Sequence, residues 1–167
     1  RERPGHFICV AQVVKRLLDI VSPEHLYMGQ KDFQQQLIVR EMTRLLQLNT
    51  KVITVPTVRE DDGLAMSSRN VRLTPEARAK APIIYQSLQV AKERLAAGET
   101  VTKIEREALT LLQQVHQLRP EYFSIVDADT LQRLTSNAPL PERIVACTAV
   151  WAGEIRLIDN LLLRGEL

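Results

Sequence analysis

The sequence predicts an α/β chain in two parts: a βαβ unit over residues 1–73, then a small α+β domain over 74–167 with a short antiparallel sheet. Three observations carry this. A strand–helix–strand pattern runs through residues 25–55, an aperiodic polar stretch fills 56–73, and the remainder reads as helices followed by three strands.

The first helix is expected over His6 to Val21, where Val10, Val13, Val14, Leu17, Leu18 and Val21 repeat at the i, i+3, i+4, i+7 spacing of one buried stripe. Pro23 stops it. His25-Leu26-Tyr27-Met28 is short and strand-like, and Gly29 turns the chain into a second helix over about 33–48, with Leu37, Ile38, Met42, Leu45 and Leu46 on its apolar face. Lys51-Val52-Ile53-Thr54-Val55 is β-branched, as a parallel strand requires. Parallel strands are normally covered on both faces and flanked by others. A lone βαβ unit is therefore expected to expose a strand edge and apolar helix faces, and to be mobile or self-associating. The opening Arg1-Glu2-Arg3-Pro4-Gly5, with no initiator Met, reads as cut from something longer.

In the second part, Thr74-Pro75-Glu76 supplies an N-cap, a proline at the first helical position and an acid in the first turn. That helix is expected to reach Ala97, bend at Pro82 and stop at Gly98. Thr102 and Glu105 have capping-box spacing at the start of the next helix. Strands follow at 122–126, 144–151 and 155–158, the last two joined by a tight turn at Gly153-Glu154.

Composition is that of an ordinary globular chain, with 45% hydrophobic and 25% charged residues. The net charge of +2 gives no case for nucleic acid, and no apolar run is long enough for a membrane span. Residues 1–72 carry +3 and the rest −1, which places an anionic ligand nearer the first part. Cys9 and Cys147 form neither a disulfide framework nor a metal-ligand spacing, so a reducing cytoplasm is expected.

Two polar stretches carry candidate chemistry. Gly29-Gln30-Lys31-Asp32-Phe33-Gln34-Gln35 lies where a strand becomes a helix, so free backbone N–H groups and Lys31 suit a phosphate. Gly29 allows close backbone approach, and Asp32 can accept from a ribose hydroxyl. Asp32 and Gln35 also have capping-box spacing, which would make them only a helix start. In Met66-Ser67-Ser68-Arg69-Asn70, two hydroxyls and a guanidinium on a mobile loop can fold over a triphosphate, or the loop can simply be solvated. Glu60, Asp61 and Asp62 are adjacent, cannot all converge on one ion, and read as a solvated turn. His6 either caps its helix or reaches a carboxylate ligand. Trp151 reads as core.

Four blocks occur in order: Arg3-Pro4-Gly5-His6-Phe7, the 29–35 turn, the run from Val58 to Asn70, and Arg156-Leu157-Ile158-Asp159-Asn160. Together they cover essentially the whole chain, which resembles the pantothenate synthetase (pantoate–beta-alanine ligase) family. The resemblance implies a Rossmann-like nucleotidyltransferase domain, here partial, followed by a lid domain. It implies condensation of pantoate with beta-alanine through a pantoyl adenylate, with Mg·ATP as substrate and AMP and pyrophosphate released. By motif position, Gly29, Gln30, Lys31, Asp32, Val58, Met66, Ser67, Ser68 and Arg69 would line ATP. Gln35 would hold pantoate, with Arg3 and His6 near it, while Lys31, Ser67 and Arg69 would stabilise phosphate charge.

The resemblance further implies a homodimeric parent, with no nucleic-acid or membrane partner. The family's His-x-Gly-His motif does not occur in these residues, so the chain resembles the C-terminal portion of the ligase and is expected to be inactive alone. No metal ligand is expected within it. The other readings are a non-catalytic nucleotide-binding or assembly module, or another adenylate-forming enzyme of the same superfamily. Cys9, Gln12 and Gln36 depart from the residue types usual at their positions, which bears on helix packing rather than on ligand contacts.

Overall fold

The computed structural model describes residues 5–135 and 139–166. The chain divides into two compact units, residues 1–57 and 58–167. The sequence reading places the division near residue 73. The stretch 58–73 belongs with the second unit because Leu64 lies in that unit's core and Arg59 pairs with Asp159.

In the first unit, α1 (His6–Val21) leads to β1 (His25–Gly29), a 3₁₀ turn (Gln30–Asp32), α2 (Phe33–Leu45) and β2 (Lys51–Val55). β1 and β2 pair in parallel, from His25 opposite Lys51 to Gly29 opposite Val55. This is the expected βαβ unit, in a two-stranded sheet. α2 ends earlier than expected. Gln47 takes φ 53°, and its N–H and that of Leu48 donate to the carbonyls of Arg44 and Thr43, a Schellman-type stop without glycine. α1 departs more from its expected stripe: only Leu18 is buried, while Val13, Leu17, Ile20 and Val21 are exposed. A two-stranded sheet offers too little surface to cover it. Gln36 is buried on α2, and its amide bonds the Thr54 hydroxyl on β2.

In the second unit, α3 (Pro75–Lys80), α4 (Ile83–Ala96) and α5 (Val101–Gln113) precede β3 (Leu118–Asp127), β4 (Ile144–Ala152) and β5 (Ile155–Arg164). Pro82 breaks the expected helix into α3 and α4 rather than bending it, because proline lacks an N–H and its ring crowds the preceding turn. The Thr74 hydroxyl accepts from the Ala77 N–H, and Gly98, at φ 82°, closes α4, both as expected. α5 starts at Val101, so Thr102 lies inside it rather than at its N-cap, and the capping box does not form. Glu105 instead accepts from the Ile125 N–H (2.7 Å) and from Arg133 (2.9 Å).

β3, β4 and β5 form an antiparallel meander in that order. The strands run longer than expected, and Gly153, at φ 60°, opens the two-residue turn between the last two. One face carries Phe123, Ile125, Ile144 and Val150, which pack with Ile84, Leu88, Ile104 and Leu112 of α4 and α5 into a fully buried core. No helix among the described residues is long and apolar enough to cross a membrane.

Candidate functional site

The first candidate element is the turn from β1 to α2. Gly29 ends the strand with ordinary extended backbone (φ −67°), and a Cβ there would meet nothing within 4 Å. Its conformation does not demand glycine; the missing side chain leaves open access to the backbone. Gln30 is buried, Lys31 and Gln35 are half-buried, and Asp32 is exposed. Asp32 sits at the N-cap of α2 but its side chain makes no capping hydrogen bond, so the capping-box alternative for Asp32 and Gln35 is not what the fold uses. The carboxylate and the start of the helix therefore remain distinct polar groups beside Lys31. His6 lies in the first turn of α1 after the N-cap Gly5, also without a side-chain cap, its ring tilted against Phe7. Arg3 lies outside the described residues.

The second element is the stretch 58–72, in which residues 58–66 form a hairpin where the sequence pattern shows only an aperiodic polar stretch. The Met66 N–H donates to the Val58 carbonyl (3.0 Å), that of Glu60 to Leu64 (2.8 Å), and that of Gly63 to Glu60 (2.8 Å). Leu64 and Ala65 are buried, which anchors the hairpin to the core, and Asn70 Nδ2 donates to the Ala65 carbonyl. Asp62 accepts from the Leu64 N–H and pairs with Arg78, whose guanidinium holds the carboxyl below its ordinary range. Beyond this stem come Met66, Ser67, Ser68 and Arg69. Val58, Met66, Ser68 and Arg69 are exposed, and Ser67 is half-buried with its hydroxyl accepting from the Arg69 N–H (3.2 Å). Arg69 Nη1 rests on the Arg156 carbonyl at 3.4 Å.

Sequence reasoning missed the charged groups that fix this element. Arg59 forms a two-pronged pair with Asp159, Nη1 to Oδ2 at 2.7 Å and Nη2 to Oδ1 at 3.1 Å, and its guanidinium lies 3.7 Å over the Tyr85 ring. Glu121 receives Arg156 Nε and Nη2, each at 2.8 Å, and Trp151 Nε1 at 2.9 Å. The Arg156 bonds hold the Glu121 carboxyl below its ordinary range, against the opposing effect of burial. Trp151 is thus half-buried with its indole N–H engaged, and is not the core residue expected. The only signal for these pairs was that Arg59, Arg156 and Asp159 lie in recognisable blocks; their partners are far away in sequence.

Among the described residues, no three His, Cys, Asp or Glu side chains cluster to hold a metal ion. What the two elements offer is donors: a helix start with Lys31 in one unit, and two hydroxyls with Arg69 in the other. Such groups suit phosphate oxygens.

Residues 1–162 match the family described as Pantoate-beta-alanine ligase. The pantothenate synthetase of Chloroflexus aggregans is 47% identical over 162 residues, covering 96% of this chain and 58% of the relative. A crystal structure of the Thermus thermophilus pantothenate synthetase superposes with a TM-score of 0.89 at 44% identity, covering 98% of this chain and 58% of that one. The Francisella tularensis pantoate-beta-alanine ligase, solved in complex with beta-gamma ATP and beta-alanine, gives a TM-score of 0.65 at 30% identity over 97% of this chain and 52% of that one. The chain thus spans little more than half the length of these relatives.

Proposed function

The chain belongs to the pantoate–beta-alanine ligase family, and from that premise we propose that it supplies the phosphate-binding and pantoate-binding elements of an ATP-dependent ligase. The observation that carries this reading is the 29–35 turn, where Lys31 and an Asp32 carboxylate not used as a cap flank the start of α2. Lys31 and Arg69 neutralise phosphate oxygens of Mg·ATP and the Ser67 hydroxyl donates to them; Gly29, Gln30, Ser68 and Met66 shape its seat. Asp32 accepts from the ribose, and Val58 covers the adenine end. Gln35 holds pantoate, with His6 and Arg3 beside it.

In the reaction this reading implies, a pantoate carboxylate oxygen attacks the α-phosphorus, and the bond to pyrophosphate breaks. The beta-alanine amine then attacks the acyl carbon of the pantoyl adenylate, loses a proton, and AMP departs as pantothenate forms. Positioning and charge stabilisation at the phosphates supply the rate. Mg²⁺ enters with ATP as part of the substrate. The remaining machinery belongs to the part of the family's length that these 167 residues do not span, so the isolated polypeptide binds Mg·ATP weakly without turning it over. The same reading places the ligase in the cytoplasm as a homodimer. The exposed α1 residues Val13, Leu17, Ile20 and Val21 favour self-association of the chain by itself.

Isothermal titration with Mg·ATP tests the proposal. Binding in the millimolar range or tighter is expected, weakened by at least about tenfold in Lys31→Ala, since a charge-assisted contact to phosphate is lost. Binding indifferent to that change would favour an assembly module over a ligase half-site. Pantothenate formation by this chain alone would refute the proposed lack of turnover.

A further inference from the structure

We propose that Arg59 is a positioning residue for the nucleotide-binding loop, acting through Asp159; the inference rests on the nucleotide reading given above. Arg59 adjoins Val58, yet both terminal nitrogens of its guanidinium are engaged by protein acceptors and the group lies over a ring. Besides the two prongs to Asp159, Nη1 donates to the Gly63 carbonyl (3.1 Å) and Nη2 approaches the Asn160 carbonyl (3.4 Å). The guanidinium lies over the Tyr85 ring, 3.7 Å from its centroid. Asp159 is only 4% exposed, and a carboxylate taken from water requires a cation with matching geometry. Arginine's planar fork satisfies it in a way that lysine's single ammonium does not.

The consequence is that strand β5 holds both the hairpin and the segment that follows it. Asp159 grips the stem through Arg59, and the Arg156 carbonyl on the same strand receives Arg69. Between these points, the Met66 N–H to Val58 carbonyl bond and the Asn70 Nδ2 to Ala65 carbonyl bond fix where the Met66–Arg69 segment leaves the stem. Tyr85 guards the tip. Gly63 has φ 90°, and a Cβ there would lie 2.6 Å from the Tyr85 ring, so the tip, the ring and the guanidinium form one packed stack. A loop fixed in advance does not have to be ordered when a triphosphate arrives, and that preorganisation appears as affinity. Arg59, engaged by Asp159 and by the Gly63 carbonyl, acts by setting the position of the residues assigned to the nucleotide.

The test compares Mg·ATP and AMP affinity in the 167-residue chain, in wild type, Arg59→Gln and Arg59→Lys, alongside amide exchange at Glu60, Gly63 and Met66. Arg59→Gln is expected to lose about tenfold in ATP affinity, equivalent to one charge-assisted contact. AMP, which keeps the adenine end assigned to Val58 but lacks the outer phosphates that Ser67–Arg69 would hold, is expected to lose distinctly less than ATP. The three hairpin amides exchange faster while those of β4 stay protected, and Arg59→Lys is intermediate on every readout. Equal loss for ATP and AMP, or unchanged ATP affinity, overturns the positioning role and leaves the nucleotide reading intact. Wild type that binds neither nucleotide overturns the nucleotide reading, and this inference with it. Should Arg59→Gln fail to fold, as judged by Trp151 fluorescence, the same comparison in Arg59→Lys decides the matter.

Discussion

Replacing Glu121 with glutamine removes a charge from the centre of a small network while keeping its shape. The bulge between Pro120 and Tyr122 takes Glu121 out of the regular pairing of β3 with β4. There it meets Arg156 through two bonds of 2.8 Å and Trp151 through one of 2.9 Å. Charge-assisted bonds of this kind contribute about 1.5–3 kcal/mol when sheltered. The Arg156 side chain is 31% exposed and that of Glu121 19%, so solvent screening reduces the figure. Glu121→Gln should therefore cost the second unit about 1–2 kcal/mol at pH 7.

The pH dependence follows from the direction of the shift. Arg156 lowers the folded-state carboxyl pKa below its unfolded value, so the extra stability is fully present above the ordinary glutamate range and is lost as pH falls through the folded value. The gap between wild type and Glu121→Gln should accordingly be widest at neutral pH and close in acid. Trp151 is the only tryptophan and lies in this unit, so urea unfolding followed by its fluorescence reports the relevant transition. A variant within about 0.3 kcal/mol of wild type at pH 7, with the same dependence on pH, would refute the reasoning, because a network of this geometry cannot then have carried net stability.

Glu105 accepts from the Ile125 N–H, and Ile125 itself is completely buried. Glu105→Ala should cost about 1–3 kcal/mol in the same urea assay by leaving that donor unpaired, whereas Glu105→Gln, which keeps an acceptor oxygen, should cost much less; equal costs would contradict the assignment. Burial, and next the charge of Asp159, push the Cys147 thiol up to about 12. Iodoacetamide at about pH 8 should therefore modify the exposed Cys9 and spare Cys147 in the folded chain, as peptide mapping would show; labelling of both at similar rates would be the contrary result.

How far the fold could be read from sequence depended on whether its determinants were local. The Thr74-Pro75 start, the Gly98 stop and the β-branched run at 51–55 act within a few residues of themselves, and all formed as expected. Pro82 was legible as a perturbation, but not as a full break between two helices. The stripe on α1 is genuinely periodic, yet periodicity says which residues share a face and not whether anything covers it. Glu105 had the spacing of a cap and served a strand twenty residues away instead. The 58–66 hairpin read only as an aperiodic stretch because it is held by cross-bonds without period and by an ion pair between residues one hundred positions apart. The two candidate stretches, 29–35 and 66–70, stood out by their residue chemistry, and the individual roles within them came only with the four sequence blocks. The charged pairs around them emerged from the packing.

Central to the proposed ligase role is that two short segments, 29–32 and 66–69, serve the same nucleotide. Amide chemical-shift mapping during titration with Mg·ATP addresses this directly. Saturable shifts are expected to concentrate at Gly29–Asp32 and at Met66–Arg69, to follow one binding curve, and to be strongly reduced in Lys31→Ala. Shifts confined to other surfaces, or two segments responding with unrelated affinities, would contradict it.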